Sequence, residues 1–311
     1  MTSASPREIF GATLVELGDE RADIVVVGGD LNKSTFANLF GHKFPERFFD
    51  LGPAEQNMMS LAAGFASSGK TVFASTFAVF ATGRPYDQIR TSISQPHLDV
   101  KIVATHAGIM TGEDGVSAQG IEDLSLMCAL PGFTVVVPSD GPETVQAVRA
   151  AASTYGPFYI RLGRPSIPII HSDNYKFQIG KAEIVQDGKD ATIVACGIMV
   201  KAAIDAADSL SREGISCRVL NMATIQPADT EAILSAARDT GAIVTAEEHL
   251  KHGGLNSVVS QIASEMHPVP IESVSLNGYA ESGKPEELLK KYGLTETNIT
   301  NSVRKVISRK S

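Results

Sequence analysis

"RFFDLGPAEQNMMSLAAGFASSGKTVFASTF", residues 47–77, holds three pieces in a row. The apolar run FFDLG (48–52) ends at a Gly-Pro break, a stop signal for regular structure. Glu55 then opens a segment dominated by Met58, Met59, Leu61, Ala62, Ala63, Phe65 and Ala66, and KTVFAST (70–76) follows as a second β-rich run. A carboxylate at the mouth of so apolar a helix has two readings on these residues alone. It can be a capping charge, because a helix N-terminus favours an anion, or it can serve chemistry.

Outward from this stretch the same rhythm repeats. Candidate strands are DIVVVGGD (23–30), RFFDLG (47–52), KTVFAST (70–76), VKIVATH (100–106), FTVVVPSD (133–140) and PFYIRL (157–162), with helical segments such as PREIFGATLVELGDE and GPETVQAVRAAASTY between them. The strands are near-continuous apolar runs, the pattern of parallel strands covered on both faces. The stretch RPSIPIIHSDNYKF (164–177) breaks the rhythm, which then restarts with DATIVACG, ISCRVLNM, GAIVTAEEH and PIESVSL alternating with four further helical segments. The expected fold is α/β, with two doubly wound, mostly parallel-sheet domains over 1–165 and 181–311 and a linker over 166–180.

Composition narrows the function classes. Of 311 residues, 43% are hydrophobic and 20% charged, a globular balance. No apolar run approaches the roughly 18 residues of a membrane span, and the N-terminal segment lacks a basic region followed by an apolar one. The net charge of −8 with unclustered basic residues argues against nucleic acid as a partner. Cys128, Cys196 and Cys217 lie far apart in apolar runs, as buried reduced thiols in a cytoplasmic protein would, and no Cys/His spacing points to a metal.

In open parallel sheets, ligands bind outside the carboxyl ends of the strands. The residues there are Asp30, Glu55, Phe77, Phe80, His106, Arg161 and Arg164. Each has a bland reading: a turn-capping aspartate, a core histidine, core aromatics, surface ion-pair arginines. Together they outline a cleft with carboxylates, an imidazole, guanidinium groups and an aromatic platform. GIMTGEDGVSAQGIEDL (108–124) adds a glycine-rich acidic loop after the strand that ends at His106, though without a P-loop lysine.

The stretches GGDLNKSTF, AEQNM, STFAVF, YDQIR, THAGIMTGEDG, VVPSDG, YIRLGRP and ESGKPEELL, in this order, resemble the C-terminal portion of transketolase. That family uses thiamine diphosphate to move two-carbon ketol units from a ketose phosphate to an aldose phosphate. The resemblance implies a pyrimidine-binding domain followed by a transketolase C-terminal domain. It implies that Glu55 hydrogen-bonds a ring nitrogen of the cofactor's aminopyrimidine, where a carboxyl group in apolar surroundings can share a proton. Phe77 and Phe80 would line that ring and Asp30 would lie beside the cofactor. His106 and Asp114 would hydrogen-bond the substrate hydroxyls. Arg7, Ser34 and Arg161 would hold the sugar phosphate, with Arg164 close enough to help.

Two departures matter. The family's diphosphate- and metal-binding signature, Gly-Asp-Gly followed further on by Asn-Asn, does not occur here. The resemblance therefore implies a C-terminal subunit of a split transketolase: an N-terminal partner subunit would hold the diphosphate through a divalent metal (Mg or Ca), in a heterotetramer. Where many family members carry histidine, and some glutamine, four residues after the aspartate of GEDG, Ala118 stands, so either a partner residue or Gln119 substitutes or the substrate differs from the usual sugar phosphates. The beta-type subunits of 2-oxoacid dehydrogenases and 1-deoxyxylulose-5-phosphate synthase share the domain pair and stay open as alternatives, as does an assembly subunit with a decayed site. The phosphate-holding set favours transketolase over the 2-oxoacid enzymes.

Overall fold

A computed structural model describes residues 2–172 and 174–310. Met1 and Ser311, the ends of the two expected domains, and Asp173, within the expected linker, lie outside the described residues. Among the described residues the strands form a seven-stranded sheet, a five-stranded sheet and a two-stranded ribbon of Ser3–Ala4 with Ile167–Pro168. No helix among them is long and apolar enough to cross a membrane.

The seven-stranded sheet runs Thr224–Gln226, Thr134–Val136, Phe158–Arg161, Val100–Ala104, Thr71–Ser75, Ile24–Gly28, Phe48–Asp50. Every neighbouring pair is parallel except the first. Its central strands Ile24–Gly28, Thr71–Ser75 and Val100–Ala104 are buried at every position, because helices cover both faces. One cover is the helix Glu55–Ser67, which lays Met58, Met59, Ala62, Ala63 and Ala66 against the sheet. Its alanines allow close approach, and its polar residues Gln56, Asn57 and Ser60 face outward. Ile24–Gly28 leads to Phe48–Asp50 on one side, whereas Thr71–Ser75 lies on the other. The chain reverses its direction of travel there, which opens a crevice at the carboxyl ends of these two strands. At Gly28 a Cβ would stand 1.9 Å from Asn32 Oδ1, so only glycine lets the chain fold back so tightly at this strand end.

The five-stranded sheet runs Ile271–Leu276, Ile243–Leu250, Ala191–Ala195, Cys217–Asn221, Glu183–Gln186, with only the last strand antiparallel. The two halves are not separate beads. Thr224–Gln226 comes from the second half of the chain yet pairs with Thr134–Val136 at the edge of the first sheet. The segment between the sheets is pinned as well. His171 Nε2 lies 2.7 Å from Glu183 Oε2, its Nδ1 lies 3.0 Å from Asp140 Oδ2, and its ring stacks on Tyr175 with centroids 3.8 Å apart.

Burial would lower the His171 pKa, but hydrogen bonds to Asp140 and Glu183 and the charge of Glu143 outweigh it and push the group up to about 10. The folded state then holds a proton that the unfolded chain releases above its ordinary pKa. This contribution to stability is complete below about pH 6.5 and is lost as pH rises through about 10. Between those limits unfolding free energy should fall with pH by up to about 1.4 kcal/mol per unit. Denaturant unfolding at several pH values should show a clearly flatter dependence for His171→Gln than for the unsubstituted chain.

Candidate active site

The crevice is furnished by residues just beyond the central strands. Phe77 and Thr105 prolong Thr71–Ser75 and Val100–Ala104 by one further parallel bridge. Phe77 then starts the helix Ala78–Gly83, and the chain turns at His106, whose φ of +56° is a left-handed conformation that non-glycine residues seldom adopt. The turn lays the imidazole on the Phe77 ring, with centroids 3.6 Å apart and planes 17° apart. Phe80 continues the row, its centroid 6.0 Å from that of Phe77 and its plane 10° from parallel. Burial, then the charges of Arg7 and Arg164, push the His106 pKa down to about 3, so the ring is neutral near pH 7. Its Nδ1 lies 2.8 Å from Thr105 Oγ1.

Glu55 is 3% exposed at the start of its helix. Its Oε1 accepts a hydrogen bond of 2.8 Å from Arg84, whose guanidinium carbon lies 4.0 Å from the centre of the Phe80 ring. Arg84 escaped the sequence reading, although it stands one turn beyond Phe80 on the same helical face. Asp30, also at positive φ (+59°), is exposed and donates its backbone N–H to Asp50 Oδ1 at 2.9 Å. Asp30, Ser34 and Asp50 share an open cleft of about 530 Å³ that Glu55, Phe77 and Phe80 do not line.

The cationic side of the crevice differs from the expected one. Arg161 is 6% exposed, and its guanidinium is committed to Asp123 Oδ2 (2.8 Å), the Gly120 carbonyl (3.0 Å) and the Glu248 carbonyl (2.9 Å). It is therefore no free grip for a phosphate. The reason is the period of the strand. Tyr159 and Arg161 point to the same face, and both reach Asp123; the Tyr159 hydroxyl donates to Oδ2 at 2.6 Å. Arg164, just past the strand end, turns the other way. Its carbonyl accepts from Arg7 Nε at 2.8 Å, and Arg7 also donates to the Ser34 carbonyl at 2.8 Å. Arg164 itself donates to the Thr111 carbonyl (2.7 Å) and Glu113 (3.1 Å). Burial and then the nearby charge of Arg164 lower the Arg7 pKa, and no ion pair among the described residues involves Arg7. Two guanidinium groups thus gather near His106, as an anion site requires, with the Ser34 carbonyl holding Arg7.

Asp114 is exposed at the end of the 3₁₀ turn Ile109–Asp114. Ala118 is 8% exposed. Gln119 is buried: its Nε2 donates to the Glu281 carbonyl at 3.1 Å, and its Oε1 has no hydrogen-bond partner among the described residues.

Comparison with known proteins bears on this geometry directly. The family model of the transketolase pyrimidine-binding domain matches residues 3–169, and that of the transketolase C-terminal domain matches residues 180–299. The chain belongs to the transketolase family. It is 43% identical over 96% of its length to a Methanocaldococcus jannaschii protein named as a transketolase C-terminal section, of which it covers 94%. It is 39% identical to human transketolase over 97% of its length and covers 49% of that protein, so it spans about half of a full-length transketolase. A solved structure described as a split gene transketolase, inactive beta4 tetramer, superposes with a TM-score of 0.92 at 47% identity, each chain covering 100% of the other.

The committed guanidinium of Arg161 yields a stability prediction. Arg161→Met leaves the buried Asp123 carboxylate facing the Tyr159 hydroxyl alone. Breaking one side of a buried pair should cost roughly 3–5 kcal/mol, whereas Arg164→Met at the partly exposed site should cost less than about 1 kcal/mol. Urea unfolding of the two variants checks both values.

Proposed function

We propose that this chain is the C-terminal subunit of a two-chain transketolase. With thiamine diphosphate it transfers a two-carbon ketol unit from a ketose phosphate to an aldose phosphate. The observation that carries this reading is a buried carboxylate, Glu55, close to a row of nearly parallel rings, Phe80, Phe77 and His106, at the reversal point of the sheet. The match in length and fold to a split transketolase and to a C-terminal section supports the two-chain form.

The residues present fit half of the cofactor. The aromatic row offers a flat face for an aminopyrimidine, and Glu55 offers it a hydrogen-bonding carboxylate. The Gly-Asp-Gly and Asn-Asn signature that holds the diphosphate in the family is missing from this sequence, and the diphosphate and its Mg or Ca ion are therefore assigned to the partner subunit. When bound, thiamine diphosphate supplies the carbon nucleophile that no side chain here provides. This chain's part is to orient and to manage protons. Arg84 engages Glu55 Oε1, and Oε2 is the atom for exchanging a proton with the ring. The neutral His106 and Asp114 meet substrate hydroxyls, and Arg7, Ser34 and Arg164 hold the phosphate. Asp30 borders the cofactor from the adjoining cleft. The domain division at 166–180 and assembly as a heterotetramer are part of the same reading, and the chain alone would self-associate without activity. Ala118 offers no hydrogen-bonding side chain and the Gln119 Nε2 is held by Glu281, so a partner residue or the unpaired Gln119 Oε1 meets the donor's hydroxymethyl end.

Activity should appear only when the chain is mixed with a subunit carrying the diphosphate-binding domain. In that mixture Glu55→Gln should lower turnover by about 10²–10⁴-fold, the range of a lost acid–base group. Micromolar thiamine diphosphate binding by the isolated chain in calorimetry would contradict the two-chain reading.

Arg164→Ala should lower kcat/KM for a phosphorylated donor by about 10–100-fold, the value of one charge-assisted hydrogen bond. Lysine should restore part of the loss, and the unphosphorylated donor hydroxypyruvate should be spared. Steady-state kinetics with both donors, in which equal losses would count against the phosphate grip, decides the matter.

A further inference from the structure

The loop from Gly108 to Gly120 carries Asp114 and is built against the C-terminal domain as well as its own. At its neck the Gly108 N–H donates to the Gly120 carbonyl at 2.7 Å. Arg161 joins that carbonyl to the carbonyl of Glu248, which lies on the C-terminal strand Ile243–Leu250. Glu248 also reaches in with its side chain. Its Oε1 accepts from the Met110 N–H at 2.7 Å, and the Ile109 N–H bonds the same carboxylate. A Cβ at Gly108 would stand 2.2 Å from the carboxyl carbon, and φ there is +76°, so only glycine lets the backbone lie against it. Further along, Ser282 donates to the Glu113 carbonyl and Gln119 to the Glu281 carbonyl.

The preceding residue shows what such a carboxylate does. Successive side chains on a strand face opposite ways. Glu247 points into its own domain and accepts from the Leu255 and Asn256 N–H groups, each at 2.8 Å, at the start of the helix Leu255–Met266. Glu248 performs the same capping for a turn of the other domain. What it caps leads straight to the site: the Thr111 carbonyl receives Arg164 at 2.7 Å, and the Thr111 hydroxyl donates to the His106 carbonyl at 2.6 Å.

We propose that Glu248 is a positioning residue of this site. By accepting the amides at the start of the 108–120 loop, its carboxylate sets where Asp114 and Arg164 stand, which makes the C-terminal domain the mould of the substrate loop. The inference rests on the transketolase reading for its kinetic consequence, but not for its structural one. Burial pushes the Glu248 carboxyl up to about 7 against the opposing effects of Arg161 and the Met110 amide, which marks how costly an acceptor the fold retains here.

Hydrogen exchange of the chain itself tests the structural part. Glu248→Gln keeps the size but turns an amide group toward the N–H donors. Exchange at 109–112 should quicken about tenfold or more, with the helix Leu255–Met266 unchanged. Glu247→Gln should do the reverse. If Glu248→Gln fails to fold, Glu248→Asp, which keeps the charge and shortens the reach, decides on the same peptides. In the two-chain assembly, Glu248→Gln should raise KM for the phosphorylated donor several-fold more than it lowers kcat. Unchanged exchange in the loop overturns the proposal, as does a loosened loop with unaltered KM and kcat. Quickened exchange with no transferase activity in the unsubstituted assembly leaves the clamp standing and overturns the proposed function instead.

Discussion

The contact on which the rest depends is the pair between Arg161 and Asp123, sealed where the two sheets meet. Two charges out of water are expensive unless each finds further partners. Here Arg161 gains two carbonyls from two different domains, and Asp123 gains the Tyr159 hydroxyl. The geometry that satisfies the pair also fixes the neck of the 108–120 loop against the strand Ile243–Leu250. With that junction set, His106 on one side and Glu248 on the other have fixed places.

The site divides its work by physical character. The aromatic row and Glu55 sit on the pyrimidine-domain side, where buried strands deliver them rigidly. The two arginines sit at the rim, where solvent softens their mutual repulsion. A neutral imidazole beside them fits the fold: burial and two neighbouring cations disfavour another positive charge at His106.

Much of this was legible in the sequence because the central strands are continuous apolar runs, which name both their type and their carboxyl ends. The helix opening at Glu55 and the turn at His106 follow from the same pattern. What escaped was set by packing. Glu183–Gln186 and Thr224–Gln226 are short edge strands whose partners are distant in sequence. Arg161 and Arg164 are three residues apart and chemically identical; the phase of the strand sends Arg161 into the interior, while Arg164 lies past the strand end, where the local turn decides its direction. Gln119 could not be placed without Glu281, nor Arg84 without Phe80. The role of Glu248 is invisible without the second domain, because its partners are backbone amides, which carry no sequence signature.

The strand Thr224–Gln226 bears on how the chain can be divided. It is the antiparallel border of a sheet otherwise made by the first half, and it shields the outer edge of Thr134–Val136. A cut at the linker would leave that edge with unpaired donors and acceptors, ready to recruit a foreign strand. The stretch between the sheets therefore looks like a hinge in sequence and is a seam in structure. The shared strand ties the two domains into one part, so a surface that meets one of them is held in register with the other.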